Sequence, residues 1–153
     1  MNGLSGSGAQ LTRRVIDAHY VEAMVLADEA RAYFDQAGRD DRTHLDPVLR
    51  VSFACESLKV TTRLMHVIAW LLTQRAVEAG EISAAAAQSP SRRLGAPALS
   101  DSAILAALPP RARDIVDASA ELFDRIARLD GELARESDGS PVHALRARLS
   151  GAF

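Results

Sequence analysis

The chain has 153 residues, 25% of them charged, and a net charge of −2, which suits one domain with a core and is too short for two. Charges of both signs are interspersed, so the broad basic surface typical of nucleic-acid-binding proteins is absent and we expect no nucleic-acid partner. Only 5% of the residues are aromatic, and much of the apolar total is alanine, which favours helices over sheets.

The chain contains none of the usual signals for export or membrane insertion. Cys55 is its single cysteine, so it cannot form an intramolecular disulfide, and the first thirty residues lack a signal-peptide pattern. The longest apolar run, residues 67–72, falls far short of the roughly 20 residues that cross a bilayer. We therefore expect a cytoplasmic protein that does not bind membranes.

The first half of the chain contains the pattern of one long helix. Residues 1–10 are rich in glycine and serine and are expected to form a disordered tail. A helix is predicted from Thr12, as N-cap, to Ala37, with Gly38 ending it in the left-handed conformation. Its predicted buried positions are spaced three and four residues apart: Ile16, His19, Ala23, Leu26, Ala30, Tyr33 and Ala37.

Two further long helices follow. Asp46 and Pro47 mark the start of the second helix, which continues to Ala79 before Gly80. The third follows Pro109-Pro110 and fades near Arg135, with its buried positions at Ile115, Ser119, Leu122, Ile126, Leu129 and Leu133. These patterns predict an all-α fold, a three-helix bundle of long antiparallel helices over residues 11–135.

The remaining segments are predicted to be flexible. Residues 80–110 hold four of the six prolines and are expected to be a mobile connection, with room for a short helix over 101–108 after Ser100 as N-cap. Residues 136–153 are expected to be a flexible tail. In that tail Val142, Leu145, Leu149 and Phe153 are compatible with a short recognition peptide.

The second helix carries more apolar surface than one small bundle needs. A stripe with alternating three- and four-residue spacing is predicted to face the core: Val51, Cys55, Leu58, Thr62, Met65, Ala69, Leu72, Ala76 and Ala79. Beside it lies a second apolar flank: Phe53, Val60, Leu64, Ile68 and Leu71. Together they cover roughly 200° of the helix at about 100° per residue. Either the connection thickens the core, or the flank is the interface of a symmetric homodimer, which is our prediction.

The opposite side of the second helix is polar but contains a tryptophan. An exposed tryptophan beside arginine is typical of an interaction hot spot, so we predict a partner-binding face formed by Arg63, Val67, Trp70 and Gln74. The alternative is that Trp70 packs under the connection.

No residue pattern indicates catalysis, a metal or a cofactor. The helices lack the Glu-x-x-His pairs of di-iron bundles, and Cys55 and His66 are separated by about 16 Å along one helix. Cys55 is interpreted as a small buried thiol. We therefore expect a protein-binding protein and not an enzyme. The second hypothesis is a small-molecule-binding or catalytic bundle using His19, Tyr20, Cys55 and Thr62, and the third is a DNA-associated regulator.

The second helix also resembles a known family. Residues 55–81 read CESLKVTTRLMHVIAWLLTQRAVEAGE, and this run, with the helix spacing and the Pro109-Pro110-Arg111 start of the third helix, is similar to the α-proteobacterial regulator of CtrA degradation family, also named DUF1465. The resemblance covers residues 11–135. It implies a dimeric three-helix bundle that acts as an adaptor for the ClpXP protease, helping to deliver cell-cycle regulators for degradation, and recruitment to the cell pole in stalked relatives.

Overall fold

The computed structural model describes residues 3–139 together with residues 145, 148, 149 and 151, and describes side chains from Gln10 onward. Three long helices dominate it: α1 (Gly3–Ala32), α3 (Pro47–Glu78) and α6 (Pro110–Asp138). A π-helical turn (Tyr33–Ala37) and the short α2 (Gly38–Thr43) follow α1. The short helices α4 (Ala84–Ala87) and α5 (Ser102–Ala107) lie between α3 and α6. No strand occurs in the described residues, so the predicted all-α bundle is confirmed.

The direction of α6 differs from the prediction of antiparallel helices. Arg13 near the start of α1 bonds to Glu78 at the end of α3, so α1 and α3 are antiparallel. Contacts between α3 and α6 instead advance along both helices, from the pair Arg63 and Ser119 to the pair Trp70 and Asp130. Helices α3 and α6 are therefore parallel, and the chain must return along the bundle between them. That return explains why the connection is so long.

The predicted boundaries of α3 are confirmed in atomic detail. The Asp46 side chain accepts a hydrogen bond from the Leu49 amide at 2.9 Å, which satisfies one of the free N–H groups of the first turn. At the other end Gly80 has φ +73°. The amides of Gly80 and Glu81 then bond back to the carbonyls of Val77 and Ala76, the closing pattern of a Schellman motif.

The continuous helical segment formed by α1, the π-helical turn and α2 extends further than predicted at both ends. It starts at Gly3, not near Thr12, and so includes most of the glycine- and serine-rich segment, since extending an existing helix costs less than nucleating one. Gly38 is right-handed with φ −64° and does not end the helix. Its lack of a side chain serves packing, because a Cβ there would lie 2.8 Å from the Tyr33 carbonyl oxygen. Ala37, predicted as buried, is exposed.

The connection is held against α3 and α6 along its length. We call residues 80–109 the strap. Near its end, the Ala98 carbonyl and the Ser100 hydroxyl accept hydrogen bonds from the Arg63 guanidinium. Near its middle, the Arg93 Nε bonds to both carboxylate oxygens of Asp130 at 2.8 and 3.0 Å. The strap was expected to be mobile, but these contacts anchor it in the groove between the parallel helices. The predicted short helix is α5, capped by Asp101 and not by Ser100.

The core lies where the inner faces of α1, α3 and α6 meet. It takes Ile16, Ala23, Leu26 and Ala30 from α1, Tyr33 from the π-helical turn, and Ile115, Ser119, Leu122 and Ile126 from α6, all as predicted. His19, Leu129 and Leu133 are only partly buried. The Tyr33 hydroxyl donates to Asp41 at 2.7 Å. Burial, reinforced by that carboxylate, raises the pKa of Tyr33 well above its ordinary value, so the hydroxyl remains a donor at neutral pH.

Replacing Trp70 tests whether the strap and α6 cover it. Trp70→Ala should lower the free energy of unfolding by about 3 to 5 kcal/mol, because it removes a buried aromatic side chain. Trp70→Phe should cost less, about 1 to 3 kcal/mol, because it keeps much of the aromatic side chain while removing the Nε1 hydrogen bond to Asp130 and part of the indole volume.

Urea denaturation of each variant measures these changes. The matched control is Leu99→Ala on the outside of the strap, where the side chain is 78% exposed and the change should stay within about 0.5 kcal/mol. A Trp70→Ala variant as stable as the control would contradict the buried position of the indole.

Candidate interaction surface

One side of α3 is both apolar and exposed. Its residues alternate in spacings of three and four, the period of a coiled-coil seam, and we call them the outer stripe: Val48, Val51, Cys55, Leu58, Thr62, Met65, Ala69 and Leu72. Val51, Leu58 and Met65 are each between 64 and 67% exposed. The outer stripe contains most of the residues that the sequence predicts to face the core, so that prediction is wrong for α3.

A groove between α1 and α3 continues the apolar surface beside the outer stripe. It encloses about 270 Å³ and is lined mainly by small and apolar side chains, including Ala27, Phe34, Val60, Met65 and Ile68. Met24, 39% exposed, lies one turn before Ala27 on the side of α1 that borders this groove. The exposed face is therefore wider than one helix and has a recess along one edge.

The predicted partner-binding face is not on the surface. Arg63, Val67 and Trp70 are at most 2% exposed and Gln74 is 8% exposed. The strap and α6 cover them, because the parallel direction of α6 brings the strap back across this side of α3. These four residues are part of the interior. Of the two positions considered for Trp70, the packed one under the connection is correct.

The charged side chains of Arg63 and Glu56 are buried under the strap, and hydrogen bonds pair them there with neighbouring groups. The Arg63 guanidinium bonds to Ala98, Ser100 and Ser119, and the Ser100 hydroxyl donates onward to Glu56 at 2.6 Å. Lys59 closes the set by an ion pair with Glu56 at 3.0 Å. Burial lowers the pKa of Arg63, and Glu56 opposes that shift. A buried charge with this many partners avoids most of the cost of leaving water.

The predicted dimer interface is also in the interior. Phe53, Val60, Leu64 and Leu71 are at most 4% exposed, and Ile68 is partly buried against the same core. They form the face of α3 that packs on α1 and α6. Val60, Leu64 and Ile68 also line the floor of the groove between α1 and α3, whereas a second copy cannot reach Phe53 and Leu71 without unfolding the bundle. The prediction that α3 has two apolar faces is correct. However, the face predicted to form the dimer packs in the core, and the face predicted to pack in the core is exposed.

Cys55 and the residues suggested for a ligand pocket do not converge. Cys55 is exposed on the outer stripe, contrary to the expected buried thiol, and Thr62 is exposed on the same stripe. The His19 ring is 2.8 Å from the Val15 carbonyl oxygen, and the Arg75 guanidinium lies 4.7 Å from the centre of the Tyr20 ring. The second hypothesis therefore loses the residues on which it was based.

Two further findings concern the described residues as a whole. In that part of the chain no three histidine, cysteine or acidic residues lie close enough together to hold a metal ion. The helices there include none that combines the length and the hydropathy required to cross a bilayer.

Comparisons with known proteins agree on one family. The family model described as "Protein of unknown function (DUF1465)" matches residues 8–153. The crystal structure of RcdA from Caulobacter crescentus CB15 is similar, with a TM-score of 0.63 and 36% sequence identity over 77% of this chain and 89% of that one. No curated protein sequence matches. The chain belongs to the DUF1465 family and has the fold of RcdA.

Proposed function

We propose that this protein is a non-enzymatic adaptor that binds other proteins, and that it helps deliver cell-cycle regulators to the ClpXP protease as the regulator of CtrA degradation family does. The observation that carries the proposal is the outer stripe. Monomeric soluble proteins rarely expose a continuous apolar surface of this extent unless something binds there. The family resemblance, supported by the match to RcdA, supplies the class of partner.

The first occupant of the outer stripe is a second copy of this chain. A seam of apolar residues at a spacing of three and four suits a helix that packs against its own symmetry mate. Cys55, Thr62 and Ala69 are small, which allows the two backbones to approach closely at those positions. The homodimer interface is thus the outer stripe and the adjoining groove, whose floor contains Val60, Leu64 and Ile68, and it excludes the buried Phe53 and Leu71.

An adaptor needs surfaces for partners and a bundle rigid enough to present them. The hydrogen bonds of the strap to α3 and α6 on one side of the bundle, and the exposed apolar residues on the α1 and α3 side, support this role. We place the protein in the cytoplasm, with recruitment to the cell pole as an extension of the family resemblance. We propose no cofactor, no nucleic-acid partner and no membrane association.

A charged double variant tests the dimer. Leu58→Glu with Met65→Glu should be monomeric at micromolar concentration, where the native chain should be dimeric, because dimerisation would bury two carboxylates per subunit. Sedimentation velocity measures the difference. The fold should survive, since both side chains are more than 60% exposed.

Two matched variants make this result interpretable. Val21→Glu with Val25→Glu changes two equally exposed apolar residues on the outer side of α1 and should leave the dimer intact. Leu64→Glu with Leu71→Glu should unfold the chain, because both side chains are buried. A folded, dimeric Leu58→Glu, Met65→Glu protein would place the interface elsewhere. In the native dimer, thiol labelling of Cys55 should slow as protein concentration rises.

Reconstituted proteolysis tests the adaptor role. The native chain should increase the rate at which purified ClpXP degrades a cell-cycle regulator, with any further adaptor supplied by cytosol from cells that lack this protein. The outer-stripe variant should reduce that stimulation at least about tenfold, the loss of a single strong hot spot, while the α1 variant should keep it.

Capture from the native cytosol provides an independent readout. The protease or a regulator should be retained with the native chain and depleted with the outer-stripe variant. Retention of neither, together with an enriched small metabolite, would refute the adaptor proposal and support the small-molecule-binding bundle.

A further inference from the structure

A second, smaller recess opens on the other side of the molecule, between the strap and α6. It encloses about 210 Å³ and we call it the notch; its apolar walls are formed by Pro97, Leu99, Leu105, Val116, Ala120 and Phe123. Leu99 projects from the strap with 78% of its surface exposed. The notch therefore offers an apolar floor and an apolar edge to whatever enters it.

Acidic side chains border the notch. Asp117 and Asp124 both line it, two turns apart on one side of α6, and Glu121 is exposed between them. Asp117 and Asp124 make no salt bridge within the described residues. Arg63 lies at the base with its hydrogen bonds made to the strap and to Ser119, and its charge interacts with that of Asp124, so Asp124 is partly compensated and Asp117 is not. The border is thus a row of carboxylates that attracts a basic segment.

The chain itself carries a segment of that chemistry. Residues 140–153 include Arg146 and Arg148 and contain no acidic residue. Leu145 and Leu149 flank the arginines and are 60% and 58% exposed. Leucine side chains suit the floor of the notch, and guanidinium groups suit its carboxylates, which they can bind in a bidentate manner.

The lengths of the two elements allow the contact within one molecule. Asp124 lies fifteen residues before Gly139 on α6, about 22 Å along the helix axis at 1.5 Å per residue. Nine extended residues, from Gly139 to Arg148, span about 30 Å at 3.3 Å each, which leaves length for a turn. The described residues Leu145, Arg148 and Leu149 are helical, but a helix this short is marginal in water and unwinds at little cost.

We propose that residues 145–149 dock in an extended form into the notch of the same chain, with Arg148 against Asp124 and Leu149 on the apolar floor. Tethering makes this contact effective even if it is weak, because a short linker holds the segment at an effective concentration in the millimolar range. The inference is independent of the adaptor proposal, since it requires neither a dimer nor a protease.

Disulfide trapping in the full chain tests the docking. In a Cys55→Ser background, cysteines are introduced by Ala120→Cys in the notch and Ser150→Cys beside Leu149. The control pair combines Ser150→Cys with Glu132→Cys, which is exposed, lies about a third of a turn around α6 from Ala120 and is closer to Ser150 along the chain. If the segment did not dock and moved at random, the cysteine at position 150 would therefore form a disulfide with position 132 faster than with position 120. Docking should reverse that order, with the notch pair forming an intramolecular disulfide at least about tenfold faster.

Charge reversal identifies the contacts behind the trapping rate. Arg148→Glu should slow the notch disulfide to the control rate, and adding Asp124→Lys should restore it. High salt should slow trapping in the unreversed protein, because exposed charge pairs are screened. Equal rates for the two cysteine pairs, or disulfides only between separate molecules on non-reducing gels, would overturn the proposal.

Discussion

The guanidinium of Arg63 is buried in the middle of α3 with its hydrogen bonds made to the strap and to α6. A charge taken out of water is tolerated only where such partners surround it. The partners come from two separate elements, so the side of α3 that carries Arg63 must face the groove between the strap and α6. That requirement turns Trp70 and Val67 inward with it and leaves the outer stripe facing solvent.

The parallel arrangement of α3 and α6 makes the strap a structural element. Two parallel helices cannot be joined by a short loop, so the chain must cross the length of the bundle between them. The crossing is fixed at two points, by Arg93 to Asp130 and by Ala98 and Ser100 to Arg63. Asp130 also accepts from Trp70 at 3.0 Å, so one buried carboxylate ties the strap to both long helices.

The sequence predicted the elements well and their orientation poorly. Caps such as Asp46 and Gly80 act locally, so their chemistry alone located the ends of α3. Periodicity identified the inner faces of α1 and α6, where the apolar residues at a spacing of three and four lie mainly on one side. Helix α3 has two apolar sides, and a three-and-four spacing does not distinguish a core seam from an intermolecular one. The deciding partners, Ala98 and Ser119, are far from Arg63 in sequence, so the burial of Arg63 could not be read from its neighbours.

The two apolar faces of α3 differ in how they select a neighbour. On the inner face, Arg63 and Trp70 accept only one register, because any shift would leave buried polar atoms unpaired. The outer stripe offers aliphatic, small and methionine side chains, which supply contact area but little that fixes a register or a partner. At the outer stripe, the selection of one partner and one register must therefore come from charged residues along its edges, such as Arg31 and Asp35 beside the groove. This division is consistent with the proposed homodimer and adaptor role, in which the fold must be unique while the outer stripe binds other chains.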